Sequence, residues 1–393
     1  MKFTLSFILT PENSSQGKGQ MKMSYLGNEI PKLGFGLMRL PMAGGEIDLE
    51  QVKQMVDRFM AQGFTYFDTA YVYHGGKSEV AAREALVKRY PREAYQLATK
   101  LPVWMANKPE DLQPLFDTQL ERTGAGYIDY YLLHALDRDR IVHLEKIGAW
   151  EFGRSLKEQG LIRHLGFSFH DEAKYLDELL TSHPEAEFVQ LQINYADWED
   201  DKVQSRLCYE IARKHNKPVI IMEPLKGGAL AAMGPEVQAL FKATSPNDSV
   251  ASWALRFAAS LDGIITVLSG MSNTEQMDDN LATMAQFQPL SADDRAVIAQ
   301  ALEELKKVPT VPCTACRYCT DDCPQKINIP GVFDAYNNYL RYQNADGAKG
   351  NYRWAVGSGG KASACIACGA CESHCPQHIP IINRLADAAK ILE

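Results

Sequence analysis

The stretch FTYFDTAYVY, at residues 64–73, joins a short apolar run to a polar loop. A helical pattern of apolar residues follows at 78–88, and the same order of run, loop and helix recurs on both sides of this unit. The apolar runs number eight and lie at residues 33–36, 64–68, 95–99, 128–134, 164–168, 188–194, 218–223 and 264–268. Eight strands that alternate with helices over roughly 250 residues predict an α/β protein built as a closed (β/α)8 TIM barrel.

An open, doubly wound sheet is the alternative fold for the same alternation of strands and helices. Such a sheet would carry a G-x-G-x-x-G turn after its first strand, because glycines let the backbone approach a pyrophosphate. Gly34 and Gly36 have the first spacing of this turn, but the letters LMR follow at 37–39. The fingerprint is absent, and we therefore favour the closed barrel.

The composition of the 393 residues is that of a globular protein, with 46% hydrophobic and 23% charged residues. The formal net charge of −8 argues against nucleic-acid binding, which needs a basic surface for the phosphate backbone. No apolar run reaches the roughly 18 residues that a membrane-spanning helix requires. We expect neither a nucleic-acid partner nor a membrane partner.

The nine cysteines are distributed unevenly, since Cys208 is alone in the first 312 residues and all the others form two tight groups. A protein stapled by disulfides would spread its cysteines through its core. Closely grouped thiols need a reducing compartment, so we expect a cytoplasmic protein.

Both groups follow the pattern C-x2-C-x2-C-x3-C-P, as CTACRYCTDDCP at 313–324 and CIACGACESHCP at 365–376. In the bacterial two-cluster pattern, three closely spaced thiolates hold one [4Fe–4S] cluster and the fourth cysteine reaches the other cluster. The sequence therefore predicts two [4Fe–4S] clusters with crossed ligands. The first set is Cys313, Cys316, Cys319 and Cys375, and the second set is Cys365, Cys368, Cys371 and Cys323. Zinc is the alternative metal, but it favours paired C-x2-C units over tight triplets.

The chain divides into three expected segments. These are an N-terminal tail at 1–22, the barrel at 23–290, and a connecting helix with the cluster domain at 291–393. Ser291 and Asp294 have the spacing of a capping box, which predicts the start of the connecting helix. The stretch 329–342 has helical spacing, whereas the glycine- and serine-rich stretch 344–363 predicts a surface loop. The cluster domain resembles the α-helical two-cluster ferredoxin domain that is fused to many dehydrogenases and reductases.

Four polar residues lie at or after the expected ends of strands two to four, namely Asp68, Tyr73, Lys100 and His134. Barrel enzymes perform their chemistry at this carboxyl-terminal mouth. Reduction of a carbonyl needs a hydride at carbon and a proton at oxygen, and Tyr73 can supply the proton. Lys100 would help Tyr73 to act near neutrality by stabilising the phenolate, and Asp68 would hold Lys100. His134 would orient the carbonyl by hydrogen bonding, although each residue alone could equally serve packing or solvation.

Taken together, these residues resemble the aldo/keto reductases. The resemblance is carried by DTAYVY at 68–73, GGKSE at 75–79, ATK at 98–100, YLLH at 131–134 and GFS at 166–168. It extends over roughly residues 21–280. It implies the barrel fold, a nicotinamide cofactor, which is NAD(H) or NADP(H), and the four catalytic roles described above.

The resemblance also implies a set of cofactor contacts. Ser168 and Gln190 would hold the nicotinamide carboxamide, with Gln192 as the alternative to Gln190. Leu225 and Gly227 would lie at the pyrophosphate. The adenosine end would meet Gly270, Ser272, Gln276, Asp279 and Asn280.

Three positions depart from the family pattern. Phe169 replaces an asparagine beside the carboxamide site, which removes a polar contact. Gly270 and Gln276 stand where NADPH-specific members have a lysine and an arginine for the 2′-phosphate. Because charge-assisted hydrogen bonds are lost without those cations, the sequence favours NADH.

We expect an iron–sulfur oxidoreductase that reduces a small-molecule carbonyl, or oxidises an alcohol, and that exchanges electrons with a redox partner protein. The alternatives are an electron-transfer or assembly subunit with a non-catalytic barrel platform, and a protein whose clusters are structural staples. Hydride transfer moves two electrons whereas each cluster accepts one, and no flavin motif is present to bridge them. Trp104, His170 and Trp198 are candidates either for the substrate pocket or for core packing.

We expect anaerobically prepared protein to contain about eight irons and about eight acid-labile sulfides per chain, because each of two clusters has four of each. Iron and sulfide assays, together with the absorbance of the brown chromophore, measure this content. Stoichiometric zinc and no chromophore after reconstitution would contradict the assignment.

Overall fold

The computed structural model describes residues 25–320, 322–357 and 359–393, so the tail expected at 1–22 lies outside the described residues. Eight parallel strands form a closed barrel. They are β1 Leu33–Gly36, β2 Tyr66–Asp68, β3 Gln96–Leu101, β4 Ile128–Leu136, β5 Ile162–Phe169, β6 Phe188–Gln192, β7 Val219–Met222 and β8 Ile264–Ser269. The predicted closed barrel is confirmed, and each of the eight apolar runs overlaps one strand.

All eight carboxyl-terminal strand ends meet at one mouth. Each strand pairs in parallel with its neighbours in chain order, and β1 closes the barrel against β8. In the register of the ladder, Gly36 lies opposite Asp68, and Ser168 lies opposite Gln190. Side chains from distant parts of the sequence are therefore gathered at a single end of the barrel.

Side chains along each strand alternate between the inside of the barrel and the layer beneath the helices. Tyr66 and Ala98 belong to the cluster that fills the inside, whereas Phe67 belongs to the outer layer. Asp68 and Lys100 follow Tyr66 and Ala98 by two residues and are buried. Because inward-facing residues recur at every second position, the last inward-facing side chain of each of these strands lies in the mouth.

Two site residues lie within strands rather than at or beyond their ends. The sequence places Lys100 after the third strand, but β3 extends one residue beyond it because Lys100 pairs with Leu132 in the ladder. The sequence places His134 at the end of the fourth strand, but β4 continues through a register shift that follows Leu133. Ala135 absorbs this shift with a left-handed φ of 56°, as is common where a strand bends beside a site.

Helices α1 to α11 pack around the barrel. They are α1 Leu49–Ala61, α2 Lys77–Ala82, α3 Leu112–Thr123, α4 Arg138–Lys146, α5 Ala149–Glu158, α6 Ala173–Ser182, α7 Ser205–Lys214, α8 Pro235–Thr244, α9 Val250–Ala259, α10 Thr274–Ala285 and α11 Ala292–Lys307. The predicted capping box of α11 is confirmed, because Ser291 and Asp294 each accept a hydrogen bond from the other's backbone N–H. Within the three described ranges, no helix is both long enough and apolar enough to cross a membrane.

Shorter elements complete the connections. A two-stranded hairpin is formed by Met42–Ala43 and Glu46–Ile47, and α2 continues as the π-helical turn Arg83–Val87. Single 3-10 turns are found at Leu37–Arg39, Tyr73–Gly76, Arg92–Ala94, Val103–Met105, Pro109–Asp111, Lys226–Ala231 and Ala362–Ala364. Four of these turns follow strand ends at the mouth, namely Leu37–Arg39, Tyr73–Gly76, Val103–Met105 and Lys226–Ala231.

The cysteine-rich segment has a hydrophobic core of its own. Its helices are α12 Ile329–Tyr342, α13 Ala345–Ala355, α14 Ala370–Ser373 and α15 Ile381–Leu392. Their buried side chains form one cluster that includes Cys319 and Cys371. By contrast, Ile298, Ala301 and Leu305 of α11 belong to the barrel's cluster. The connecting helix α11 is therefore packed as part of the barrel.

The helix α13 corrects the loop that the sequence predicts at 344–363. Asn344 accepts a hydrogen bond from Gly347 N at 2.9 Å and caps the helix. Ala348, Tyr352 and Ala355 are spaced for one helical face and are buried. The glycines of this stretch hide that short apolar stripe, and packing against α12 and α15 overrides their low helix propensity.

A buried carboxylate joins α2 to the third strand. Glu79 Oε1 accepts from Thr99 Oγ1 at 2.7 Å and from Gln119 Nε2 at 3.1 Å, and Arg122 Nη1 lies 3.3 Å from Glu79 Oε2. Gln119 also donates to the backbone carbonyl of Lys100 at 3.0 Å. Glu79 is fully buried, and burial raises its pKa. This network fixes the backbone that carries Lys100.

We expect Glu79→Ala to lower the free energy of unfolding by about 2–4 kcal/mol, because it leaves two buried donors and the partly buried Arg122 without their acceptor. Glu84→Ala is the matched control, since Glu84 pairs with Lys88 near the surface, and such pairs contribute under about 1 kcal/mol. Urea unfolding followed by circular dichroism measures both losses. Equal losses in the two variants would show that the Glu79 network adds no stability.

Candidate active site and cluster cavities

Lys100 is the centre of a buried polar group at the mouth. Its ammonium donates to Asp68 Oδ1 at 2.5 Å, to the carbonyl of Thr69 at 2.8 Å and to Tyr73 Oη at 3.4 Å. Lys100 is 1% exposed and Asp68 is 3% exposed, so water is kept from the pair. The structure thus brings three of the four expected catalytic side chains into one connected group.

Burial governs the protonation of this group. Burial opposes the charge on Lys100, but the Asp68 carboxylate and Tyr73 together outweigh it and raise the pKa of Lys100. Burial also raises the pKa of Tyr73, and the charge of Lys100 opposes this only in part. The sequence predicts that Lys100 shifts Tyr73 toward neutrality, whereas in the structure burial prevails. The hydroxyl therefore keeps its proton at neutral pH, which is the state that a general acid needs.

His134 faces the hydroxyl-bearing ring of Tyr73 across the mouth. Its ring centroid lies 6.1 Å from that of Tyr73 and 5.2 Å from that of Trp104. Burial, together with the charge of Lys100, lowers the pKa of His134 well below its usual value. The imidazole is therefore neutral at physiological pH, and one of its nitrogens can donate a hydrogen bond.

The three pocket candidates have different surroundings. Trp104 is 39% exposed and stands beside His134, so it forms a wall of the opening. His170 is near enough for its charge to contribute to the lowered pKa of His134. Trp198 packs instead against Tyr209 and Phe257, among residues of the barrel's outer layer.

Three buried polar atoms at the mouth have no hydrogen-bond partner among the described residues. They are Asp68 Oδ2, His134 Nδ1 and Gln190 Oε1. Buried polar atoms are nearly always paired in proteins, so each unpaired one calls for a partner. An amide-bearing ring and a carbonyl oxygen offer the donors and acceptors that would satisfy such atoms.

The neighbouring residues on β5 and β6 distinguish between the two glutamines that the sequence leaves open. Ser168 Oγ accepts from the backbone N–H of Ala135 at 2.7 Å and lies in register with Gln190. Gln192 Nε2 donates to Asp197 Oδ2 at 2.9 Å and is already engaged. Gln190 is therefore the glutamine whose amide is available to a ligand.

The turn after β7 has a strained backbone. Lys226, Gly227 and Gly228 have φ angles of 48°, 64° and 89°, three left-handed residues in succession. The carbonyl of Leu225 accepts from the N–H groups of Gly228 and Leu230 and closes the turn. Left-handed turns of this kind direct backbone N–H groups toward an anion, so Leu225 and Gly227 lie on a surface that suits a pyrophosphate.

Four polar residues of the loop after β8 and the following helix α10 are engaged within the protein, namely Ser272, Gln276, Asp279 and Asn280. Gln276 is exposed, and its Oε1 accepts from the N–H of Ser272 at 2.8 Å. Asn280 is 3% exposed and donates to Ser269 at 2.7 Å. Asn280 thus supports the loop from within, whereas Gln276 faces outward.

Arg39 is a cationic residue of the mouth that no sequence motif singles out. Its side chain passes over Gly270, where an added methyl group would lie 3.4 Å from Arg39 Cδ. Its guanidinium lies 3.7 Å from Glu223 and 3.2 Å from the methyl position of Gly227. An anion on this turn could therefore replace Glu223 as the partner of Arg39. The available signal is its place directly after the first barrel strand, whose end opens on the mouth.

A first cavity of about 320 Å³ lies inside the C-terminal domain. Its cysteines are Cys313, Cys316, Cys319 and Cys375. Ile329, Phe333, Ile379 and Ile381 line the rest of the wall. Burial raises the pKa of Cys313, and the charge of Lys202, on the barrel loop before α7, acts in the opposite direction. This cavity is therefore near the barrel.

A second cavity of about 320 Å³ combines the other four cysteines. They are Cys323, Cys365, Cys368 and Cys371. Four thiolates on one zinc ion, at bonds of about 2.3 Å, would lie roughly 4 Å from one another. In residues 25–320, 322–357 and 359–393, no three cysteine, histidine or acidic side chains converge closely enough to hold a single ion. Cysteines spread around a cavity suit a larger group such as a four-iron cluster.

Family models match both parts of the chain. The model described as the Aldo/keto reductase family matches residues 32–303, and the one described as a 4Fe-4S dicluster domain matches residues 312–379. The first match covers well over half of the chain. The second contains all eight cysteines of the two motifs.

Individual proteins are similar to the barrel part. Probable aldo-keto reductase 1 from Glycine max is 31% identical over 202 residues, and L-galactose dehydrogenase from Arabidopsis thaliana is 25% identical over 314 residues. The matches cover 49% and 74% of this chain. The chain spans 56% of the length of the first relative and 97% of the second.

Solved structures share the fold. An aldo-keto reductase from Klebsiella pneumoniae in complex with NADPH has a TM-score of 0.55 at 20% identity, over 69% of this chain and 90% of that one. An aldo-keto reductase from Bacillus halodurans in its holo form has a TM-score of 0.57 at 23% identity, over 72% and 96%. With its barrel matched by the family model, this chain belongs to the aldo/keto reductase family and carries a 4Fe-4S dicluster domain behind its barrel.

Proposed function

We propose that the barrel mouth catalyses the nicotinamide-dependent reduction of a small-molecule carbonyl, or the reverse oxidation of an alcohol. The observation that carries this proposal is the buried contact of Lys100 with both Asp68 and Tyr73, opposite a neutral His134. General acid catalysis needs these groups together and in these protonation states.

The residues around the mouth fit a bound nicotinamide dinucleotide. Ser168 and Gln190 would hold the carboxamide, and the unpaired Gln190 Oε1 is an acceptor for its amino group. Leu225 and Gly227 would hold the pyrophosphate, with Arg39 as a nearby cation. The loop after β8 and the start of α10, with Gly270, Ser272, Gln276, Asp279 and Asn280, would hold the adenosine. When bound, the reduced dinucleotide supplies a hydride to the carbonyl carbon.

Tyr73 donates the proton in the proposed reaction. Its hydroxyl is protonated in the resting site and would transfer that proton to the carbonyl oxygen. The ammonium of Lys100, 3.4 Å from Tyr73 Oη, would stabilise the phenolate that remains. Asp68 keeps Lys100 charged and in place. His134 would donate a hydrogen bond to the carbonyl oxygen and aim it at Tyr73.

We further propose that the crossed sets of four cysteines each bind one [4Fe–4S] cluster. The grouping of Cys375 with the first motif and of Cys323 with the second supports this assignment. When bound, the clusters supply one-electron transfer to a redox partner protein. The alternative, a barrel that is only a platform for an electron-transfer or assembly subunit, would give no reason for unpaired polar atoms at the mouth.

We expect Tyr73→Phe to lower turnover by ~10²-fold or more, because general acid catalysis contributes about this much, while the dissociation constant for the dinucleotide stays nearly unchanged. Tyr71→Phe is the matched control, since Tyr71 lies on the same loop and packs on Arg122 at 4.2 Å. Single-turnover rates and binding titrations separate the two effects. Unchanged turnover in Tyr73→Phe would show that another group donates the proton.

We expect tighter binding of NADH than of NADPH. Gly270 offers no cation, Gln276 offers only a neutral amide, and the guanidinium of Arg39 is directed at Gly227 and Glu223. Each lost charge-assisted hydrogen bond costs about 1.5–3 kcal/mol, so two change the affinity ratio by roughly a hundredfold. Titration of both reduced dinucleotides at one ionic strength measures the ratio, and tighter NADPH binding would refute the preference.

A further inference from the structure

The turn after β7 is held in its strained conformation by groups from outside itself. Lys226 is a non-glycine residue with a φ of 48°, and its partly buried side chain forms an ion pair with the buried Asp197. Backbone strain of this kind persists only when the surroundings hold it in place. What surrounds this turn therefore decides whether it keeps its shape.

Some of the residues that pack around this turn belong to the cluster domain. Tyr342, the last residue of α12, is 6% exposed and belongs to the barrel's hydrophobic cluster. Burial raises the pKa of its hydroxyl, and the nearby charge of Lys226 opposes this. The end of α12 is thus packed into the barrel beside the strained turn.

The residues that follow Tyr342 cover the two glycines of the turn. A methyl group added at Gly228 would lie 3.3 Å from Asn344 Nδ2, and one added at Gly347 would lie 3.3 Å from the carbonyl oxygen of Gly227. Asn344 uses its Oδ1 to cap α13. Among the described residues, no atom accepts a hydrogen bond from Asn344 Nδ2. A free amide donor therefore stands over the surface that suits a pyrophosphate.

We propose that the α12–α13 turn of the cluster domain, residues 342–347, completes the dinucleotide site, with Asn344 Nδ2 donating to the pyrophosphate. This inference rests on the proposed function, since it assigns the dinucleotide to the barrel mouth. The dinucleotide then touches both domains at once. By linkage, displacement of the α12–α13 turn from the barrel weakens dinucleotide binding, and bound dinucleotide stabilises the docked turn by the same factor.

The test compares two asparagines that cap neighbouring helices in the same way. Asn328 accepts from Gly331 N at 3.3 Å, as Asn344 accepts from Gly347 N at 2.9 Å, but Asn328 contacts Gly331 and Ala355 within its own domain. Asn344→Ala and Asn328→Ala therefore remove equivalent caps. Only Asn344→Ala also removes a side chain that lies over the turn after β7.

The probes are NADH and ADP-ribose, titrated calorimetrically into anaerobic, cluster-loaded protein. We expect Asn344→Ala to weaken both by the same factor of roughly tenfold or more, as for one lost hydrogen bond to a charged group, while Asn328→Ala leaves both unchanged. ADP-ribose carries the pyrophosphate but no nicotinamide, so an equal loss locates the contact at the phosphates. Iron content and the electron paramagnetic resonance spectrum of the reduced clusters should match the wild type.

A second variant guards against a folding defect. Asparagine and aspartate cap helices equally well, so Asn344→Asp keeps α13 but places a carboxylate over the turn, and we expect it to bind ADP-ribose more weakly than Asn344→Ala. If the wild type binds both probes and the Asn344 variants bind them equally well, the inference is wrong and the proposed function stands. If the wild type binds neither probe, both are overturned.

Discussion

The buried ion pair between Asp68 and Lys100 is the interaction on which the mouth of the barrel depends. Two charges taken out of water cost several kcal/mol each unless good geometry and further hydrogen bonds compensate them. Here the ammonium also reaches the Thr69 carbonyl and the Tyr73 hydroxyl. Since the pair joins β2 to β3, any displacement of either strand would leave an uncompensated charge. The position of Tyr73 is therefore fixed by the electrostatics of its neighbours.

The support for this pair reaches well beyond the mouth. The carbonyl of Lys100 is held by Gln119, which also binds the buried carboxylate of Glu79. Gln119 in turn accepts from Tyr131 at 2.7 Å. Polar networks in a low-dielectric interior are stable only when all members are paired, and they then hold their geometry closely. In this barrel, the carboxylate of Glu79 and the amide of Gln119 are paired on the packed side, whereas Asp68, His134 and Gln190 each keep an unpaired buried atom at the open end.

The sequence predicts the barrel and the set of four mouth residues because both follow from local patterns, namely strand–helix alternation and the place of polar residues at strand ends. It favours Gln190 over Gln192 for the carboxamide, but it could not show that Gln192 is engaged by Asp197, because that contact crosses a loop. It also missed Asn344, which follows a helix and lies over a distant turn. No local periodicity reports such a contact. The helix α13 was hidden because its glycines outweigh its apolar stripe.

The crossed grouping of the cysteines has a consequence for how the chain matures. Each cavity is lined by cysteines of both motifs, so each bound cluster would close the chain between the motifs into a loop. The entropic cost of closing a loop is met once, when its ends are first brought together. The second cluster then binds to a chain whose loop is already closed. Cluster binding should accordingly be cooperative, so chains with one cluster should be scarce beside chains with none or two. Iron supply in the cell would then set how many chains carry both clusters.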